Sequence, residues 1–449
     1  MPPLSRPSPS RIAWATFLFA LIFSLSIRLA VRKAYGPVAA NDSLGYLALA
    51  DMMRSHDFSG YTAWRTPGYP LLLNLAGCVP GRVALIQCAL SSIGIGVLSL
   101  VLFQCSHRMG VSIGLAAFLS ISLNLLFPDA YILTESVATF LFTLVVVAVA
   151  FSERIRGPRT TILFSVVLGC LAAVLVLTRP QYIAIIPVLA IAPVFRQEGM
   201  GFVRRVAFRS LPFLLAAMLP ILALVAFNKV HTGKAILSST LPFNLSQHTL
   251  PFIEAAGSSD PLHLVPEIVR LRDQYWQRAQ DLDDNRAFIP RPGFDPASAY
   301  STYYLHLSFV AIGKHPFLYL GSVAKAWSRF WRVSLLYDAD YSRNPRLDKR
   351  VGKLWPLQKV AWLFVNSMFL LIFPFLLLNA LKRRNIGAEE VIFLMILAVS
   401  VLQALVEYGD NSRYAIPVQP SVAFVVFQML SNWEKSRQDE PAVILAQKA

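Results

Sequence analysis

IAWATFLFALIFSLSIRLAV, residues 12–31, decides what kind of protein this is. A bilayer crossing needs roughly 20 mostly apolar residues, and this run supplies them. It is longer than a signal-peptide core, and no small-residue cleavage site follows it, so it reads as a retained span. Similar runs fall at about 83–104, 110–127, 130–151, 160–177, 181–195, 210–227, 357–380, 389–406 and 414–431. The expected fold is therefore all-α: a polytopic membrane protein with about ten transmembrane helices. Composition agrees, with 55% hydrophobic and 15% charged residues and a mean hydropathy of +0.54, where a soluble domain carries about 25% charged residues.

The net charge of +16 does not indicate nucleic acid, because the basic residues are scattered at the ends of apolar runs and form no continuous stripe. They sort the connectors instead. Arg6 and Arg11, Arg108, SERIRGPR, RQEGMGFVRRVAFR, LKRRN and the tail WEKSR lie on one side, the cytoplasmic one. The segment after the first span, FPDAY (127–131), TRPQY (178–182), a long loop at about 228–356 and EYGDNSRY (407–414) lie on the other. The alternation closes with both termini inside. One run, LHLSFVAIGKHPFLYLGSVAKAW at 305–327, is interrupted by Gly313, Lys314, His315 and Pro316 and reads as an interfacial amphipathic element. The chain thus divides into an N-terminal transmembrane module (1–227) with a first outer loop at about 33–80, the long outer loop (228–356) with interfacial helices, and C-terminal transmembrane helices with a cytoplasmic tail (357–449). Cys78, Cys88, Cys105 and Cys170 lack paired spacing, and the seven histidines are dispersed, so neither a disulfide framework nor a metal site is expected.

Ionisable residues near apolar spans are costly unless paired or hydrated. Asp42, Arg65, Asp129, Glu135, Arg179, Glu407, Asp410 and Arg413 all fall at outer helix ends, which points to a shared polar cavity. In NDSLGYLALADMMRSHDFSGYTAWRTPGYP (41–70), helical spacing puts Asp42, Tyr46, Leu49, Ala50 and Met53 on one face and Ser43, Asp51 and Arg54 elsewhere, as in a helix lying along the bilayer surface. WRTPGYP then turns the chain back beside Arg65, whose guanidinium can hold a phosphate through two hydrogen bonds. Plainer roles exist for each residue. Asp42 can cap a helix, Arg65 and Arg179 can anchor at the interface, Glu135 can pair with Arg179, and Asp410 with Arg413.

The ordered set is more specific than its parts. An Asp with a Tyr four residues on (Asp42, Tyr46), RTPGYP (Arg65, Tyr69), PDAYILTES (Asp129, Glu135), TRPQY (Arg179) and EYGDNSRYAIPVQP (Asp410, Arg413) together resemble the C-type glycosyltransferase superfamily, GT-C. Within it the chain is similar to bacterial relatives of the protein O-mannosyltransferases and of the aminoarabinose transferase that modifies lipid A. The resemblance implies an integral membrane enzyme of the cell envelope, in the bacterial inner membrane with its active site on the periplasmic or extracellular side. It implies a polyprenyl-phosphate-sugar donor and a glycan, lipid or protein acceptor, with membrane lipids around it and no nucleic acid. Asp42 would be the catalytic base, and Tyr46, Arg65, Tyr69, Asp129, Glu135, Arg179, Asp410 and Arg413 would bind substrate. Many relatives carry an acidic pair after the first span, whereas here Asn41 precedes Asp42. No cofactor is required by this reading, and a divalent metal is unsupported.

Sugar transfer needs a base for the acceptor hydroxyl, stabilisation of an oxocarbenium-like centre and neutralisation of the departing phosphate. A carboxylate at the mouth of a low-dielectric cavity suits the first, since partial desolvation raises its pKa, and a single base with direct displacement inverts the anomeric centre. The alternative class is a transporter or flippase of lipid-linked or sugar substrates. Such a protein would place broken helices and ionisable groups near the membrane centre, often within internal repeats, and no repeat is evident. A non-catalytic lipid-binding scaffold would tolerate loss of the acidic residues. For the topology, reporter fusions at residues 157, 280 and 449 are expected to read inside, outside and inside; an outer C-terminus with 280 still outside would mean that 305–327 crosses the membrane.

Overall fold

In the computed structural model, which describes residues 9–195, 201–278, 299–383, 385–409 and 411–446, the regular structure is helical apart from two isolated bridges, Tyr35 with Ser342 and Val38 with Tyr131. Among the described residues, eight helices are long and apolar enough to cross a bilayer: Ser10–Ala34, Pro80–Ser106, Glu135–Arg154, Pro158–Thr178, Phe202–Thr232, Pro345–Ala380, Ala388–Val406 and Asn411–Trp433. The chain is an all-α, multi-pass integral membrane protein in contact with membrane lipid.

Two of the expected spans take other forms. The 110–127 run is a helix pair, Met109–Ile121 and Leu123–Ala130, bent by 71°. Ser122 at the break is extended (φ −69°, ψ 113°), which frees backbone groups that apolar surroundings would penalise. Gln358 satisfies both sides: its Oε1 accepts from Leu123 N at 2.8 Å, and its Nε2 donates to Ile121 O at 2.9 Å. The 181–195 run is the shorter apolar stretch Pro180–Phe195, with 3-10 turns flanking a central helix, Ile185–Ile191. The later span expected from residue 357 lies in a helix that already starts at Pro345.

The 305–327 run breaks at His315, ahead of Pro316, into Ala299–Lys314 and Pro316–Phe330, and neither is among the membrane-crossing helices. Pro316–Phe330 buries Ala326 and Phe330 and exposes Phe317, Leu318 and Leu320, the two-faced character expected of an interfacial helix. Within the long loop a separate small core forms around Leu250, Ile253, Val265, Ile268, Tyr304 and Leu307.

One ion pair inside the bundle holds the first span to the elements that carry the site. Arg28, within the opening apolar run, lies 2.9 Å from Asp129, and each side chain is 2% exposed. Ser91 donates to Asp129 Oδ1 at 2.7 Å, and Arg28 also donates to Leu125 O at 3.2 Å. Next to it, Gln87 Nε2 donates to the carbonyls of Asp129 and Tyr131, both at 2.9 Å, while Gln87 Oε1 accepts from Tyr69 OH at 2.9 Å. Removing one member of a buried pair leaves an uncompensated charge, which costs about 3–5 kcal/mol. Asp129→Ala is therefore expected to lower the unfolding temperature in detergent strongly, and the double variant Arg28→Met/Asp129→Leu to recover most of the loss. Equal destabilisation by the single and double changes would count against the pair.

Candidate functional site

Proline places the first guanidinium. Pro180 disfavours helical geometry in the preceding residue, and Arg179 is accordingly extended (φ −145°, ψ 111°), closing the helix Pro158–Thr178 and sending its side chain sideways. There Arg179 Nη2 meets Glu135 Oε1 at 3.3 Å, and its guanidinium lies 4.7 Å from the centre of the Tyr414 ring. Glu135 opens the preceding span and has no exposed side-chain surface. Its Oε1 also accepts from Arg413 Nε at 2.6 Å. Arg413 is in the short helix Asn411–Tyr414 that begins the last span.

Arg413 reaches on to the segment after the first span, donating through Nη1 to Asp42 Oδ2 at 2.9 Å. The other oxygen, Oδ1, accepts from Arg65 Nη2 at 2.6 Å. The guanidinium of Arg65 lies 4.6 Å from the centre of the Tyr46 ring, and Tyr46 packs edge-on against Tyr69 at 5.2 Å. Asp42 does not cap its helix: Asn41–Ser55 starts one residue earlier, behind Ala40. One face of that helix packs into the protein. Ser43, Tyr46, Leu49 and Ala50 are buried, and Ser43, expected to point elsewhere, donates to Ile132 O at 2.8 Å. Gly68 permits the close approach of the WRTPGYP turn, because a Cβ there would stand 2.7 Å from Leu177 O and 2.6 Å from Thr178 Oγ1.

Asp42, Arg65, Arg179, Arg413 and Tyr46 line one cavity of about 500 Å³ at this end of the bundle. Glu135 stands behind the two arginines it holds. Two expected members are elsewhere: Asp129 is occupied by Arg28 and Ser91, and Tyr69 OH by Gln87, so both support the site from outside the cavity wall. Asp410 lies outside the described residues. The wall also includes Trp64, beside Arg65 in the WRTPGYP turn, and residues with no motif to mark them, Ser238, Phe243, Asn244, Gln247 and Gln403, together with Glu407. Several belong to the long loop, whose polar composition is that of ordinary soluble sequence. The one available signal was Glu407, which stands among the outer helix ends. Its Oε2 accepts from Gln403 Nε2 at 3.0 Å.

The electrostatics correct one expectation. Burial would raise the Asp42 carboxyl, but the guanidiniums of Arg65 and Arg413 more than reverse this and hold it below the ordinary carboxylate value. Among the described residues, Asp42 and Glu135 accept from Arg65, Arg179 and Arg413 in one hydrogen-bonded network, and Glu407 stands on the same cavity wall. Planar guanidinium forks so placed suit an oxyanion such as a phosphate. Among the described residues no group of three or more His, Cys, Asp or Glu is placed to hold a metal ion. Compared with protein-family models and with curated proteins, the sequence matches none.

His248 ties the cavity wall to the interfacial helix. It is in the helix Leu241–Thr249, with Nδ1 2.8 Å from Ser322 Oγ and its ring packed edge-on to Tyr319 and Tyr408. Burial pushes its imidazole down to about 4. The folded state therefore resists protonation that the unfolded chain accepts near the usual histidine value. Its contribution is complete above about pH 6.5, falls as the pH drops toward 4 and is level below that, a loss on the order of 3 kcal/mol. His248→Phe is expected to remove this part of the acid sensitivity, read as unfolding temperature against pH in detergent. Identical profiles for the two proteins between pH 7 and 4 would refute the assignment.

Proposed function

We propose that the protein is a membrane glycosyltransferase that moves a sugar from a polyprenyl-phosphate carrier to a hydroxyl of a glycan, lipid or protein acceptor, with its cavity on the periplasmic side of a bacterial inner membrane. The observation that carries this reading is the convergence of Arg65, Arg179 and Arg413 with the carboxylate of Asp42 on one cavity. Arginines at such a wall bind a phosphodiester and neutralise the charge that grows on it as the glycosidic bond breaks. The apolar part of the wall, including Ile183, Ile236, Leu402 and Val406, suits the first units of a lipid chain. A transporter would hold its ionisable cavity near the membrane centre, whereas this one gathers at helix ends.

In the proposed reaction Asp42 takes the proton of the acceptor hydroxyl. The acceptor oxygen bonds to the anomeric carbon as the bond from that carbon to the phosphate oxygen breaks, and the electron pair leaves with the polyprenyl phosphate. Displacement from the opposite face inverts the anomeric centre. Polyprenyl phosphate and glycosylated acceptor are released, and the proton passes from Asp42 to solvent.

The test is incubation of the purified protein with a panel of polyprenyl-phosphate sugars and acceptor membranes, with release of the lipid phosphate as readout. Asp42→Asn keeps size and much of the hydrogen-bonding geometry but cannot accept the proton, so turnover is expected to fall by roughly two to four orders of magnitude. Transfer by the Asn variant at near the wild-type rate would exclude Asp42 as base.

A further inference from the structure

The same guanidiniums that suit a phosphate are already bonded to the residue assigned as base. Asp42 Oδ1 accepts from Arg65 at 2.6 Å, and Oδ2 accepts from Arg413 at 2.9 Å. Both arginine side chains are mostly enclosed, 17% and 15% exposed, so these contacts are not freely exchanging surface pairs. The rings of Tyr46 and Tyr414 also bear on this network: Tyr46 lies under Arg65, and Tyr414 under Arg179. Glu135 holds Arg413 from behind through Nε, leaving its terminal nitrogens directed at Asp42 and the cavity.

We infer that Asp42 and the donor phosphate compete for Arg65 and Arg413, so that phosphate binding draws the two guanidiniums from Asp42 and frees its carboxylate to act as the base. This rests on the reading under Proposed function and deepens it. A carboxylate held on both oxygens by guanidiniums is a poor proton acceptor. A phosphodiester offers the same planar forks an alternative anion. As an arginine turns to the phosphate, one hydrogen bond to Asp42 is exchanged for one to the donor, and Asp42 gains basicity where the acceptor hydroxyl must be deprotonated. Glu135 keeps Arg413 in place during the exchange, because Nε stays bonded while the terminal nitrogens change partner. Donor recognition and activation of the base are then one event, and the carboxylate is least reactive when no donor phosphate is engaged.

The competition has a consequence opposite to that of a supporting role. If Asp42 merely positioned the arginines, its loss would weaken phosphate binding; as a competitor, its loss strengthens it. The probe is undecaprenyl phosphate in detergent, titrated calorimetrically against wild type, Asp42→Asn and Asp42→Ala, with the neutral undecaprenol as control. The Ala change supplies a second reading should the Asn variant fail to fold. Asp42→Asn is expected to bind the phosphate roughly tenfold tighter than wild type, with undecaprenol binding unchanged. Equal or weaker binding by both variants overturns the inference and leaves the glycosyltransferase reading standing. A wild-type protein that binds the phosphate no better than undecaprenol overturns both. Simple removal of a negative charge is separated by a double-variant cycle: competition predicts that the gain shrinks when Asp42→Asn is made in an Arg413→Gln background. A gain of undiminished size there would reduce the effect to charge removal and overturn the inference.

Discussion

The buried carboxylate of Glu135 is the constraint on which the site depends. A lone charge without solvent contact is very costly, and Glu135 avoids that cost by taking Arg413 Nε and Arg179 Nη2 on a single oxygen. Because Glu135 and its two partners belong to three different helix ends, satisfying one carboxylate fixes the start of the 135–154 span, the end of the 158–178 span and the start of the 411–433 span relative to each other. The arginines are thereby placed before any ligand enters, and preorganised charge of this kind is worth most where water is scarce. Asp42 and Arg65 then attach the segment after the first span to this frame through Arg413.

Much of this was legible in the sequence because membrane chemistry leaves few places for charge. The concentration of Asp42, Arg65, Glu135, Arg179 and Arg413 at outer helix ends marked the cluster, and the Glu135–Arg179 contact was weighed as a pairing. Partner choice was less legible. Arg28 lies near the end of the first apolar run, where it reads as part of the span, and Asp129 then appears available for the cavity. Their pairing joins residues 97 or more positions apart in the same neighbourhood, as the Arg28 bond to Leu125 illustrates. Periodicity carries no information at that separation. The basicity argument for Asp42 failed for the same reason: it counted burial and omitted two guanidiniums brought from elsewhere in the chain.

The bend at Ser122 was hidden in another way. Hydropathy reports how apolar a run is and not whether its backbone hydrogen bonds continue, so a helix whose break is repaired by Gln358 from a distant span looks like an ordinary crossing. Prolines were more informative. Pro180 and Pro316 both mark real breaks, one turning Arg179 into the site and the other dividing the interfacial segment. A proline acts on its immediate neighbour, and such local constraints survive in a single sequence where tertiary ones do not.

The cavity combines two kinds of wall. Its charged side comes from helix ends of the transmembrane bundle and from the first outer loop, where Glu135 and the arginines leave little freedom. Much of its other side comes from the long loop, with Ser238, Phe243, Asn244 and Gln247 facing the same space and His248 joining that helix to the interfacial element. Amide and hydroxyl groups there can be exchanged without stranding a buried charge, whereas loss of the Glu135 carboxylate takes its anion from Arg179 and one of two from Arg413. On the proposed reading, the phosphate chemistry is therefore the rigid half of the site. Choice of sugar and acceptor falls to the half that the fold leaves free to vary.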